Sequence, residues 1–207
     1  MTEGKVFADI TMSLDGFVAG PDDGVDEPLG KGGDRLHDWI YDLDTWRERH
    51  GLEGGDSNRD AEIVAESFET TGAVVMGRRM FDLGEAPWGD EPPFHMPVFV
   101  LTHRPREVVE KRGGTTFTFV TDGIESTLAR AREAAGGRDV SVAGGASAIR
   151  QFLASGLLDE LQVHVAPLLL GGGVRLFDGI GPAEIELETT RVVSSPRVTH
   201  LRFRVAR

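Results

Sequence analysis

The sequence predicts an α/β fold: a mixed, mostly parallel sheet with helices on both faces and a C-terminal antiparallel hairpin. Three observations support this. Short apolar runs, at residues 73–76 and 140–143, are typical of strands buried on both faces. Segments with helical spacing separate such runs. The last two segments, residues 184–193 and 197–205, alternate apolar and polar residues around the turn Ser194-Ser195-Pro196, as hairpins do.

The N-terminal half is predicted to hold two strands and three helices. A strand over residues 5–12 ends at Ser13-Leu14-Asp15-Gly16, and a glycine-punctuated loop follows to residue 33. Helical spacing predicts one helix over residues 34–50 and, after a polar break, a second around residues 63–68. The strand at 73–76 leads into a short helix ending near Gly84. The apolar stripe of the first helix consists of Leu36, Trp39, Ile40, Leu43 and Trp46.

The C-terminal half continues the alternation. Strands are predicted at residues 98–101 and 116–120, and a helix then begins at Asp122, with Glu125 as a capping-box partner, and ends at Gly136-Gly137. After the strand at 140–143, Gly144-Gly145 opens a helix that ends at Gly156. In the next strand Leu161, Val163 and Val165 alternate with Gln162 and His164, so one face of that strand is more polar.

Composition bounds the class of protein. The 207 residues are expected to form a single domain over residues 1–207. The net charge of −12 argues against nucleic acid as a partner, because the field of the protein would repel phosphate backbones. No apolar run approaches the length of a membrane span, so no membrane partner is expected. The absence of cysteine fits a cytoplasmic location.

Several classes of site are excluded by missing motifs. There is neither a G-x-G-x-x-G fingerprint nor a phosphate-binding loop of the G-x-x-x-x-G-K-[ST] type. The six histidines lack metal-ligand spacing, and without cysteine a zinc deaminase site cannot form. We therefore expect no metal.

Residues suited to anions follow three of the predicted strands. Because carboxyl ends of parallel strands meet at one edge of a sheet, these residues are expected to lie together and hold a phosphorylated ligand such as a dinucleotide. The alternative is that the basic clusters are solvated surface and that the paired glycines are only a tight turn. The three groups are Gly77, Arg78 and Arg79; Leu101, Thr102, His103 and Arg104; and Ala143, Gly144, Gly145, Ala146 and Ser147.

The same motifs carry a resemblance to a known family. The run Ser13-Leu14-Asp15-Gly16-Phe17-Val18-Ala19-Gly20-Pro21-Asp22-Asp23 resembles the opening of stand-alone bacterial proteins of the dihydrofolate reductase family. The three strand-end motifs follow in that family's order. The segment from Ala166-Pro167 through Gly171-Gly172-Gly173 to Leu176-Phe177 resembles a late motif of the reductase domain of riboflavin biosynthesis. The resemblance spans nearly the whole chain and implies a dihydrofolate-reductase-like fold.

The resemblance also implies a cofactor, NADPH. Arg78, Thr102, His103 and Arg104 match segments around its 2′-phosphate and pyrophosphate, and Gly144 to Ser147 match the turn and helix start beneath the pyrophosphate. A cis peptide is expected between Gly144 and Gly145. Thr11, Val18 and Ala19 match the strand end and loop near the nicotinamide. Relatives of the riboflavin type are dimers, so a homodimer is expected as well.

The substrate side is less determined. Asp15 is a candidate catalytic or substrate-binding carboxylate, or else a turn residue; Trp39 either lines the substrate pocket or packs in the core, and His164 is a further pocket candidate. On an α-helix, Asp34, Asp38 and Asp42 would lie away from the apolar stripe and outside the pocket, which argues against folate reduction.

The leading hypothesis is hydride transfer from NADPH to a C=N or C=O bond of a small heterocyclic or ribosylated substrate, similar to 5-amino-6-(5-phosphoribosylamino)uracil reductase. The alternatives are a non-catalytic NADPH-binding protein on the same scaffold and a true dihydrofolate reductase.

Overall fold

A nine-stranded sheet organises the chain in the computed structural model, which describes residues 4–181 and 184–206. The strands in these residues are β1 (Val6–Ser13), β2 (Phe17–Ala19), β3 (Thr71–Gly77), β4 (Pro97–Leu101), β5 (Val109–Glu110), β6 (Thr116–Val120), β7 (Asp139–Gly144), β8 (Glu160–Ala166), β9 (Val174–Arg175), β10 (Leu187–Ser194) and β11 (Thr199–Val205). The α-helices are α1 (Asp44–Arg49), α2 (Arg59–Thr70), α3 (Arg78–Trp88), α4 (Ile124–Ala135) and α5 (Ala146–Ala154).

The strand order is β10-β11-β8-β1-β7-β3-β4-β6-β5. The run from β8 to β6 is parallel throughout, whereas β11 pairs antiparallel with β8, and β10 pairs antiparallel with β11. This confirms the predicted mostly parallel sheet with a terminal hairpin. The small sheet of β2 and β9 and the short edge strand β5 were not predicted.

Helices cover both faces of the sheet, as predicted. On β3, Ala73 and Val75 pack in one core cluster, which includes Leu128 of α4 and Ile149 of α5. The alternate residues Val74 and Met76 pack in a second cluster, which includes Phe81 of α3. Since side chains alternate across a strand, α4 and α5 lie on one face and α3 lies on the other. A third cluster joins Trp39 and Leu43 to α2 and Val198.

The predicted single helix over residues 34–50 is wrong. A 3₁₀ helix spans Gly33–His37, turns follow, and α1 begins only at Asp44. The chain is extended at Leu43 (φ −72°, ψ 137°) because Asp56 bonds on both sides of it: its amide donates to the Asp42 carbonyl (2.7 Å), and its carbonyl accepts from the Asp44 amide (3.2 Å). Helical spacing of apolar residues could not show this long-range pairing.

Smaller differences have local causes. Helix α3 continues past Gly84 to Trp88, and Gly84 makes room for the indole, since a Cβ there would lie 2.3 Å from a Trp88 ring carbon. Asp122 does not cap α4; Gly123 is the N-cap, and the Asp122 carboxylate pairs with Arg130 at 2.9 Å. The hairpin strands are displaced slightly from the predicted bounds.

None of the helices within residues 4–181 and 184–206 combines the length and the apolarity needed to span a bilayer.

The close packing of β3 against the end of α4 gives a first prediction. A Cβ at Gly72 would lie 2.6 Å from the Ala135 carbonyl oxygen and 2.8 Å from its Cα. Because this contact is with backbone, Gly72→Ala is expected to lower the free energy of unfolding by about 1–3 kcal/mol, measured by urea denaturation. Gly172→Ala is the matched control, since a Cβ there meets no atom within 4 Å. Equal free energies of unfolding for Gly72→Ala and Gly172→Ala would contradict the close packing of β3 against the end of α4.

Candidate functional site

The carboxyl ends of adjacent parallel strands open into one cavity of about 1230 Å³. Met76 pairs with Gly144 and Gly77 pairs with Leu101, so the tips of β7, β3 and β4 lie side by side. The structure thereby brings the three predicted groups together. The cavity-lining members of the predicted set are Thr11, Val18, Ala19, Gly77, Arg78, Arg79, Leu101, Thr102, His103, Arg104, Ala143, Gly145, Ala146 and Ser147. Gly144 is buried and does not line the cavity.

One wall is the start of α5. The peptide between Gly144 and Gly145 is cis, as expected, and Gly145 is the N-cap of the helix. The first amides of a helix have no carbonyl partner within it, so those of Ala146 and Ser147 are suited to an anion. A Cβ at Gly145 would meet no atom within 4 Å, which leaves open space beside this helix end.

A second wall carries arginines that share a carboxylate. Asp82 accepts from Nε of Arg78 at 2.6 Å and from Nη2 of Arg104 at 3.0 Å. Arg78 also donates to the Arg104 carbonyl (3.3 Å), whereas Arg79 pairs with Asp23 at 2.8 Å. The Arg104 side chain is 70% exposed. Two guanidinium groups therefore meet at the rim, and a single carboxylate offsets part of their charge.

The opposite part of the cavity is aromatic. Trp39 is 2% exposed, its indole N–H donates to the Thr11 hydroxyl (3.4 Å), and its ring centroid lies 4.9 Å from that of His164. It both packs in the core and lines the cavity, so the two roles left open for it coexist. Further aromatic lining residues on this side are Tyr41, Trp46, Phe68 and Phe94.

His164 lines the cavity together with Asp9, a residue that the sequence analysis missed. Nε2 of His164 lies 2.6 Å from Oδ1 of Asp9, while Oδ2 accepts from Ser67 (2.7 Å) and Gln162 (3.0 Å). Burial raises the pKa of Asp9, but the charge and hydrogen bond of His164, with the two other donors, hold that pKa below its usual value. A charged residue in the middle of an apolar strand was the available signal, because buried carboxylates need partners.

Asp15 does not line the cavity. Its carboxylate accepts from the Ser13 hydroxyl (2.6 Å) and from the amides of Leu170 (3.1 Å) and Gly171 (2.8 Å). The Ser13 bond, with the two amides, lowers the pKa of Asp15 to about 2 against the opposing effect of burial. These contacts tie the loop after β1 to the loop after β8, so we assign Asp15 to loop structure and not to catalysis.

The expectation that Asp34 lies away from the pocket is wrong. Asp34 lines the cavity, because the segment is a 3₁₀ helix and its side chains do not follow α-helical spacing. Asp38 and Asp42 do not line it, and Asp42 pairs with Arg197 at 3.0 Å.

Comparison with known proteins gives a family and a fold. The family model of the RibD C-terminal domain matches residues 4–201. The crystal structure of a putative riboflavin biosynthesis protein from Shewanella sp. PV-4 is similar over 98% of this chain and 99% of that chain, with 25% identity and a TM-score of 0.72.

Two more distant structures share the fold. A diaminohydroxyphosphoribosylaminopyrimidine deaminase/5-amino-6-(5-phosphoribosylamino)uracil reductase from Thermotoga maritima matches 99% of this chain and 57% of its own length, at 16% identity and a TM-score of 0.61. Dihydrofolate reductase from Enterococcus faecalis, complexed with NADP(H), matches 99% of this chain and 98% of its own, at 12% identity and a TM-score of 0.55.

The cavity residue His37 gives a prediction for acid stability. Burial, with the charge of His164, lowers the pKa of His37 to about 4, despite the opposing charges of Asp34 and Asp38. The unfolded chain, in which this pKa returns to about 6.5, therefore takes up a proton first as the pH falls. Between about pH 6.5 and pH 4 this group should lower the free energy of unfolding by about 2–3 kcal/mol.

His37→Gln should flatten that dependence, measured by urea denaturation across this pH range. His103→Gln, at an exposed position, is the control. A His37→Gln curve parallel to that of the unchanged protein would show that His37 is not buried in its neutral form.

Proposed function

Because the chain belongs to the RibD C-terminal domain family, we propose that it is an NADPH-dependent reductase of a small heterocyclic or ribosylated substrate, similar to 5-amino-6-(5-phosphoribosylamino)uracil reductase. The observation that carries the proposal is the meeting of three anion-suited strand ends at one cavity. Its volume exceeds the roughly 300–1,000 Å³ of a typical ligand pocket, which leaves room for a dinucleotide and a second molecule.

The residues present fit the cofactor. Arg104, which is exposed, and Arg78, which shares the Asp82 carboxylate with it, would hold the 2′-phosphate, since a guanidinium matches phosphate geometry. The first amides of α5 would hold the pyrophosphate beside the space left open at Gly145. Thr11, Val18 and Ala19 would lie along the nicotinamide end. NADPH, when bound, supplies the hydride, and the protein positions the acceptor.

The substrate side favours a planar acceptor. Aromatic rings line it, and the carboxylates of Asp9 and Asp34 offer acceptors for N–H groups. This combination suits a flat heterocycle with amino or ring N–H donors.

The proposal is tested by titration and turnover. Trp39 and Trp88 line the cavity, so NADPH is expected to quench tryptophan fluorescence and to raise the melting temperature. Oxidation of NADPH is then measured against pterins, ribosylaminopyrimidines, quinones and aldehydes. Absence of NADPH binding would overturn the proposal, and binding without any turnover would favour the non-catalytic alternative.

The shared carboxylate predicts opposite effects of two substitutions on cofactor choice. Arg104→Ala should reduce the preference for NADPH over NADH about tenfold, because it removes one phosphate partner, worth about 1.4 kcal/mol. Asp82→Asn should raise NADPH affinity and leave NADH affinity unchanged, because a negative charge beside the 2′-phosphate is lost. The dissociation constants of both cofactors are measured by fluorescence. Arg130→Ala, outside the cavity, is the control. An equal loss of affinity for NADPH and NADH in Arg104→Ala would contradict the assignment of Arg104 to the 2′-phosphate.

We also propose that the protein is a homodimer. β10 is an edge of the sheet and exposes Leu187 (38%) and Val192 (60%), and apolar edge strands favour pairing. Light scattering should report a dimer, and Val192→Lys should weaken it. A monomer at all concentrations would refute this proposal. The cytoplasmic location stays a prediction.

A further inference from the structure

Asp9 is one end of a continuous row of four titratable residues, of which the other three are buried. His164 and His200 are directly paired across β8 and β11, with their Nδ1 atoms 2.6 Å apart. Nε2 of His164 lies 2.6 Å from Asp9, and Nε2 of His200 lies 3.0 Å from Oδ1 of Asp60 on α2. We call these residues, Asp9–His164–His200–Asp60, the Asp–His row.

The geometry of the Asp–His row fixes its proton count. Each Nε2 faces a carboxylate oxygen, and the two Nδ1 atoms face each other, so every one of the three contacts needs a single proton to be a hydrogen bond. Two neutral imidazoles supply only two protons between them. The row therefore holds one extra proton, either as an imidazolium between two carboxylates or as a carboxylic acid beside two neutral rings. These two forms differ only in the position of a proton along short hydrogen bonds.

The row meets the cavity at its Asp9 end, where Asp9 and His164 are lining residues. The side chains of His164, His200 and Asp60 are at most 6% exposed, whereas the Asp9 side chain is 21% exposed. Trp39 packs over both imidazoles, with centroids 4.9 and 5.2 Å away. The other end, Asp60, accepts from the Ser195 hydroxyl (2.9 Å) in the hairpin turn.

The extra proton of the row lies within reach of Asp9, because Nε2 of His164 and Oδ1 of Asp9 are 2.6 Å apart. Burial and the charge of His164 lower the pKa of His200, against the opposing effects of Asp60 and Asp9. The groups that face Asp9 and His164 from the surrounding elements are Ser67 on α2, Gln162 on β8, and His37. The charge of His164 contributes to the lowered pKa of His37. The contact between His164 and Asp9 thus connects the shared protons of the row to the carboxyl group that opens into the cavity.

We propose that Asp9 is the catalytic acid of the reduction and that His164 supplies its proton, positioned by His200 and Asp60. This rests on the proposed function. When a C=N bond accepts hydride at carbon, the π electron pair moves to nitrogen, and that nitrogen takes a proton from the Asp9 carboxyl group. Asp9 becomes this carboxylic acid by taking the Nε2 proton of His164, so the step ends with an Asp9 carboxylate beside a neutral His164. The sum is one hydride and one proton added across the double bond.

The first test uses the protein without ligand. Imidazole ¹⁵N and aspartate ¹³C NMR near neutral pH should show three protons shared among the four groups, and Asp9→Asn should remove the extra proton. Asp122→Asn, the same change on the surface, should leave it in place. Two neutral rings beside an ionised Asp9 would overturn the proposal.

The second test follows reduction of 7,8-dihydrobiopterin, a C=N probe. Asp9→Asn should lower kcat by about 100-fold or more and leave NADPH affinity unchanged, since general acids contribute about 10²–10⁴. His200→Gln, which keeps hydrogen bonds but cannot carry a proton through a ring, should lower kcat, shift its pH profile and increase the solvent isotope effect, with KM unchanged.

The outcomes separate the two proposals. If His200→Gln loses stability but keeps the pH profile and isotope effect of the unchanged protein, the row is structural. That result would overturn the proposal of proton supply and leave the proposed reductase function standing. Loss of NADPH binding by the unchanged protein would remove the reductase proposal itself, while the NMR result would still decide the protonation of the row.

Discussion

The cavity depends on the parallel alignment of β1, β7, β3 and β4. Parallel strands place their carboxyl ends at one edge, and the helices that follow β3 and β7 start there with unpaired amides. Pairing of Met76 with Gly144 and of Gly77 with Leu101 sets the register that makes the three tips adjacent. Any shift of that register would separate the guanidinium groups from the start of α5. Hydrophobic burial on both faces of β3 holds the register in place.

A further part of the same sheet, formed by β1, β8 and β11, carries the Asp–His row. Antiparallel pairing of β11 with β8 puts His200 opposite His164, and their polar face lies against α2. Burying three titratable groups and part of a fourth has a desolvation cost, which only a complete set of hydrogen bonds offsets. The row is therefore a feature that packing alone would not favour, and its opening at Asp9 connects it to the cavity.

Much of this fold was predictable because its signals are local. Uninterrupted apolar runs identify β3 and β7, and glycines followed by polar residues mark the strand tips. The break at Leu43 was not predictable, because it depends on pairing with Asp56, far along the chain. Likewise, neither Asp9 nor His200 alone indicates a site in the sequence. The Asp–His row is formed by the pairing of separate strands, which no single segment of the sequence reveals. Asp15 is the opposite case, because its motif is conspicuous in the sequence but its carboxylate accepts hydrogen bonds from the loop after β8 and does not line the cavity.

The contacts of Asp15 with the loop after β8 have a consequence for folding during synthesis on the ribosome. The loop after β1 is held by the amides of Leu170 and Gly171 through Asp15, and β2 pairs with β9. During synthesis the segments near the N-terminus therefore remain without these contacts until residues 170–175 have been made. His200, which completes the Asp–His row, is made later still. A nascent chain that lacks β8 to β11 therefore lacks both the contacts that hold the loop after β1 and the second half of the Asp–His row.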